Sequence, residues 1–269
     1  MTTYERLPCG WCGGQNDPTD TSCDSCGAPL NVADLVSDAG WRSAPRIRDT
    51  TRFHFGQSEC EVEGEIVPVA EVTLAPGNGV FFEYHTLLWK DESVRLGSIG
   101  TGGGFKRLFG GMPFVITTAE GPGRIAFSRD SAGELVVLPL HPEMEIDVRE
   151  HAFLVGSHSV RYDFVRIDGL GNMFRGGAGM FMDRFVTAGE PGLLMLHGAG
   201  NVFERRLAPG ETVLVEPGAF LYKDASVRMD VEKQDVKVGM VRSLYLVRMT
   251  GPGRLGIQSM YHPHMGGEE

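Results

Sequence analysis

Four of the five cysteines in this 269-residue chain lie within the first 26 positions, as Cys9-Gly-Trp-Cys12 and Cys23-Asp-Ser-Cys26. Each C-x-x-C pair offers two thiolates from one tight turn, and two pairs with ten residues between them suit a tetrahedral zinc ion. Gly13 and Gly27 follow the second cysteine of each pair, where a positive φ lets backbone N–H groups turn toward the sulfurs. Two disulfides are the alternative, and a chain with nothing to mark it as secreted disfavours them. Four thiolates leave no position open for water. The expected cofactor is therefore one structural zinc, held by Cys9, Cys12, Cys23 and Cys26. Roughly 30 residues bury no core of their own, so metal binding, on the order of 10 kcal/mol, must supply the folding energy. The fifth cysteine, Cys60, stands between Glu59 and Glu61; flanking carboxylates raise a thiol pKa and argue against a nucleophile.

Other chemistry is thin. No nucleophile elbow, P-loop or dinucleotide fingerprint occurs in a strand–helix context. Gly100-Thr-Gly-Gly-Gly104 lacks the lysine and following helix of a phosphate loop, and His262-Pro-His264 sits at the C-terminal end with no strand after it. His158 reads as a surface or turn histidine. The chain is expected not to be an enzyme. Its formal net charge of −10 excludes a body that neutralises nucleic-acid phosphates. No window reaches the roughly 18 consecutive apolar residues of a membrane-spanning helix, although peripheral membrane contact stays open. The N-terminus has no apolar signal core, and a cytoplasmic location is expected.

The residues that follow must be positioned by something repetitive, because one pattern occurs three times. Leu74-Ala-Pro76, Leu140-His-Pro142 and Leu207-Ala-Pro209 begin segments 66 and 67 residues apart. At identical offsets come the pairs Leu87-Leu88, Phe153-Leu154 and Phe220-Leu221, then Val94-Arg95, Val160-Arg161 and Val227-Arg228. Each copy reads as a Pro-marked turn and a series of short strands, with period-two alternation in Val213-Leu-Val215 and Glu145-Ile-Asp147-Val148. The implied body is an all-β, internally repeated, pseudo-threefold sandwich or barrel. The domain reading is residues 1–30 zinc ribbon, 31–52 linker with one short helical turn (32–38), 53–265 repeated β domain and 266–269 tail. Leu88, Leu154 and Leu221 are expected in the core. Arg95, Arg161 and Arg228 either pair with nearby carboxylates such as Asp91 and Asp224 or gather at the pseudo-axis around an anion. His85 and His151 occupy equivalent places, but Gly218 stands in the third copy, so symmetry offers no three-histidine metal site. Gly169 to Phe185, like Gly102 to Met112, mixes glycine with large apolar residues. Met173, Phe174, Met180, Phe181, Met182 and Phe185 either belong to bulged strands of the sandwich or form a contact surface, the latter expected because a pleated strand buries one face only.

Two resemblances carry further expectations. Both cysteine pairs, with Asn16 between them and Cys26-Gly27-Ala28-Pro29 after, resemble the Ran-binding-protein type of zinc finger. That resemblance covers about the first 30 residues. Leu7 and Trp11 depart from the family's tryptophan placement, and Gly13-Gly14 stands where ubiquitin-binding members carry Thr-Phe, so neither RNA nor ubiquitin transfers as a ligand; a generic zinc ribbon fits as well. Phe53-His-Phe-Gly-Gln57, Val67-Pro-Val69, Leu87-Leu-Trp-Lys-Asp91, Gly103-Gly-Phe-Lys-Arg107 and Pro217-Gly-Ala-Phe-Leu221 are similar to the altered-inheritance-of-mitochondria family, member twenty-four. The similarity runs from about Phe53 onward. It implies an internally repeated β-sandwich like the tryptophan RNA-binding attenuator protein, without an established activity or catalytic residue to carry over.

The function expected from these readings is a non-enzymatic binding or scaffold protein. The zinc finger docks a protein partner and the β domain mediates assembly, including a homo-oligomer. The alternative is a small-molecule- or anion-binding β-barrel with weak enzymatic activity.

Overall fold

The computed structural model describes residues 51–55, 58–98, 116–167, 180–187, 189–238 and 241–260, together with scattered residues between 7 and 43. Cys12, Cys26, Met173, Phe174, the helical turn at 32–38, the stretch 100–112, His262, His264 and the tail lie outside the described residues. The strands are β1 Leu7–Pro8, β2 Gln15–Asn16, β3 Arg42–Ser43, β4 Thr51–Phe55 and β5 Ser58–Glu63. Then come β6 Val69–Leu74, β7 Gly79–Glu83, β8 Leu87–Lys90, β9 Arg95–Ser98, β10 Ile116–Glu120 and β11 Gly123–Phe127. Next are β12 Gly133–Leu140, β13 Glu145–Arg149, β14 Phe153–Ser157, β15 Val160–Ile167, β16 Met180–Thr187 and β17 Gly192–Ala199. The last six are β18 Val202–Leu207, β19 Thr212–Val215, β20 Phe220–Asp224, β21 Arg228–Val238, β22 Val241–Thr250 and β23 Gly253–Gln258. Helical structure among the described residues amounts to two 3₁₀ turns, Tyr84–Thr86 and Pro217–Ala219.

The same antiparallel pairings occur in each of the three six-strand segments. The first strand pairs with the last (β6–β11, β12–β17, β18–β23), and the last with the third (β11–β8, β17–β14, β23–β20). The second pairs with the fifth (β7–β10, β13–β16, β19–β22), and the fifth with the fourth (β10–β9, β16–β15, β22–β21). Neighbouring segments are then stitched by β7–β14 and β13–β20, in matching register: Phe82 faces Val155 and Val148 faces Tyr222. These joints fuse half-segments into a six-stranded and a seven-stranded sheet, flanked by a five-stranded sheet and a three-stranded one. Strand β8 ends the five-stranded sheet, with β4 at its other end, and β19 ends the three-stranded one, with β21 at its other end.

Both faces of the six-stranded sheet are covered, which is why β7 is buried at every position. Val80 and Phe82 join a core with Val72, Ile125 and Phe127 of the five-stranded sheet. Phe81, on the opposite face of the pleat, joins Phe153, Phe185, Ile146 and Tyr222. A third core, with Met182, Phe220, Leu255, Val247 and Met249, lies between the seven- and three-stranded sheets.

Burial corrects two expectations from the sequence. Met182 and Phe185 are core residues, 2% and 0% exposed, because β16 lies inside the seven-stranded sheet with a packed layer on each face. Leu88 is 54% exposed, because β8 ends its sheet, whereas Leu154 and Leu221 are fully buried. Leu154→Ala and Leu221→Ala should therefore each cost about 2–5 kcal/mol, and Leu88→Ala less than about 0.5 kcal/mol. Urea unfolding of the three variants checks the ranking.

Candidate functional site

The repeat brings together a polar cluster at the joint between the first two segments. Glu83 ends β7, and the pleat carries its side chain inward, where it is 1% exposed. The residue at the same repeat position in the third segment, Glu216, caps its own 3₁₀ turn: its Oε2 accepts from the N–H of Ala219 at 3.0 Å. Glu83 precedes the corresponding turn but makes no such cap. The hydroxyl of Thr86 bonds the backbone there instead, donating to the Glu83 carbonyl at 2.9 Å. The Glu83 carboxylate is thereby left for other groups.

Three groups converge on its Oε2. His85 Nε2, from the 3₁₀ turn, lies 3.0 Å away. Arg129 Nη1, just beyond β11, lies 3.6 Å away and also contacts His85 Nε2. His151 Nδ1, from the turn between β13 and β14, lies 3.8 Å away. Although His85 is close, its Nε2 is engaged by the Arg129 guanidinium, and neither carboxylate oxygen receives a hydrogen bond of good geometry. Burial alone would push the Glu83 carboxyl up; His151, His85 and Arg129 more than reverse this and hold it at about 2. His151 is raised in turn, chiefly by Glu83. Burial lowers Arg129, with Glu83 opposing. Behind the guanidinium sits buried His197, which burial and then Arg129 push down to about 4, so this imidazole is neutral near pH 7.

The sequence-predicted residues are placed as follows. Cys9 and Cys23, one from each C-x-x-C pair, are buried in one small cluster against Leu30. Asn16 Oδ1 accepts from the N–H of Asp24 at 3.1 Å while its amide donates to the Gly14 carbonyl at 2.7 Å. Cys60 is buried and its thiol is pushed well up, first by burial and then by nearby glutamates. Arg95, Arg161 and Arg228 are exposed and stand on three different sheets. Arg95 meets Glu120 at 3.3 Å and Arg228 meets Asp230 at 2.8 Å; Asp91 and Asp224 are instead engaged by Arg124 and Arg254. His158 is exposed in a turn. Met180 lies in β16. Sequence reasoning found His85 and His151 but missed Glu83 and Arg129. The signal for Glu83 was its spacing: Glu83-Tyr84-His85 aligns with Arg149-Glu150-His151.

The sequence profile described as Mitochondrial biogenesis AIM24 matches residues 60–260. The chain belongs to the AIM24 family. The fold is also similar to the crystal structure of a Streptococcus pyogenes protein, with a TM-score of 0.60 at 20% identity, over 76% of this chain and 94% of that one. No curated protein matches the chain. Among the described residues no helix is long and apolar enough to cross a membrane.

Proposed function

We propose that this AIM24-family chain is a non-enzymatic scaffold whose pseudo-threefold β domain assembles with further copies of itself through strand pairing. The observation that carries this is the pair of end strands. Inside the chain, the third strand of each later segment pairs with the second strand of the segment before it. Among the described residues, the two strands left over by this rule are β8 and β19, each at the end of its sheet. Leu88, Trp89 and Leu214 on them are 54%, 39% and 38% exposed, and an exposed apolar edge is a template for another strand. Pairing β8 of one copy with β19 of another continues the internal rule from chain to chain. Such a head-to-tail contact is heterologous and builds a ring or an open array.

The N-terminal module serves as the docking element in this reading. The joint burial of Cys9 and Cys23 and the Asn16 bonds support a knuckle with one structural zinc on Cys9, Cys12, Cys23 and Cys26. A protein partner and a cytoplasmic setting follow from the sequence reading.

Light scattering coupled to gel filtration tests the assembly. The wild-type chain should elute as an oligomer, and Leu214→Lys should shift it to monomer with unchanged far-UV dichroism, because a lysine on an edge strand opposes pairing. A wild-type chain that is monomeric at every concentration overturns the proposal. Cobalt substitution tests the finger. Thiolate-to-cobalt charge-transfer bands should be present in the wild type and absent from the Cys9→Ser, Cys23→Ser variant.

A further inference from the structure

We propose that Glu83, His85 and His151 form a second metal site, distinct from the cysteine module, that binds a divalent transition-metal ion of the zinc type. Their donor atoms all lie within 4.8 Å of one another. Ligands on a tetrahedral zinc at about 2.0–2.2 Å stand about 3.3 Å apart. The distances from Glu83 Oε2, 3.0 Å to His85 Nε2 and 3.8 Å to His151 Nδ1, bracket that spacing, and the two histidine donors lie within 4.8 Å of each other.

The carboxylate is the fixed member and the second, independent pointer to a ligand. It is 1% exposed, it is not used to cap its turn, and neither oxygen receives a well-directed hydrogen bond. A buried carboxylate in that condition calls for a cation. The histidines, 39% and 52% exposed at their side chains, form the solvent side and leave a path of entry. His151 reaches the cluster from a left-handed backbone, φ 65°, held by the bond from the N–H of Ala152 to the Arg149 carbonyl at 3.1 Å. Non-glycine residues seldom adopt that region, and those that do collect at functional sites. Two imidazoles and one carboxylate select zinc, nickel, cobalt or copper over calcium and magnesium.

Arg129 sets the remaining chemistry. Without an ion it is the charge that balances Glu83. An arriving cation takes the His85 lone pair that Arg129 engages, so the guanidinium is the group that gives way. A divalent ion and Arg129 against one carboxylate leave net positive charge, so the open coordination position favours an anionic fourth ligand such as a carboxylate or phosphate.

The test measures zinc bound per chain after equilibrium dialysis of the full chain against zinc, using wild type and a His85→Ala, His151→Ala variant. Both substituted side chains are substantially exposed, so the variant should fold. It should hold one ion fewer per chain than wild type, whatever the cysteine module contributes, and zinc should raise the thermal midpoint of wild type more than that of the variant. Equal zinc content in the two proteins overturns the proposal. Should the alanine variant fail to fold, the His85→Gln, His151→Gln variant, which keeps an amide beside Glu83, is read the same way.

Discussion

Asp147→Ala should destabilise the chain by about 3–5 kcal/mol, the usual cost of removing one member of a buried ion pair. Asp147 is 1% exposed in the middle of β13 and faces a cation on each neighbouring strand. Arg184 Nε and Nη2 donate to its two oxygens at 2.6 and 3.0 Å, and Lys223 Nζ donates at 2.7 Å. Lys223 has a side chain only 5% exposed, so removing Asp147 leaves an ammonium without its partner inside the protein. The other joint holds the same positions differently. There Phe81 faces Thr118 and Gly156, and the Phe81 ring lies over Gly156. The triple variant Asp147→Phe, Arg184→Thr, Lys223→Gly transplants that solution. It should recover to within about 1 kcal/mol of wild type, since a packed hydrophobic replacement of a buried ion triad is commonly neutral or better. The new ring would enter the core that already holds Phe220 and Met249. Urea midpoints at constant m-value check both expectations. A triple variant no better than Asp147→Ala refutes the equivalence of the joints.

The same carboxylate gives a pH dependence with a definite sign. Burial would raise the Asp147 pKa, but Arg184 and then Lys223 more than reverse it, so the folded value is lowered. A lowered folded value means that Asp147 contributes its full stability above the unfolded value of roughly 3.9. That contribution is lost as pH falls through this value toward the folded one. Wild type should therefore lose stability more steeply than the triple variant below about pH 4.

The repeat was legible because turns and core residues recur at fixed spacing. Pro76, Pro142 and Pro209 mark the first turn of each segment, and the order of strands follows from them. What spacing does not encode is which face of a sheet is covered. The Met-rich strand β16 reads as half-buried by alternation, yet Met182 and Phe185 face different packed layers. Conversely, Leu88 matches Leu154 and Leu221 letter for letter but lies on an end strand. Glu83 and Glu216 make the same point for the site. They occupy one repeat position, and only the hydrogen bond from Ala219 to Glu216, absent at Glu83, separates a capping carboxylate from one that gathers histidines.

Gly251→Ala should cost about 2–4 kcal/mol through a clash with backbone. A Cβ at this position would lie 2.3 Å from the Ala208 carbonyl oxygen and 2.7 Å from Leu207 Cβ, where the turn after β22 crosses the turn after β18. The glycine has little freedom to retreat. Its N–H donates to the Glu211 carbonyl at 2.9 Å and its own carbonyl accepts from Gly210 at 3.3 Å. Shifting the turn therefore weakens two backbone bonds between the turns in addition to disturbing buried Leu207. The matching glycine of the first segment, Gly121, meets the Ala75 carbonyl at 2.6 Å, a looser fit, so Gly121→Ala should cost less. In the middle segment the position before the turn proline is Glu190, whose side chain is exposed. Glu190→Ala should change stability by less than about 0.5 kcal/mol. Thermal or urea unfolding should rank the three as Gly251, Gly121, Glu190 in decreasing cost. A neutral Gly251→Ala would mean that the two turns do not press together, and the repeated glycine would then need another explanation than close backbone approach.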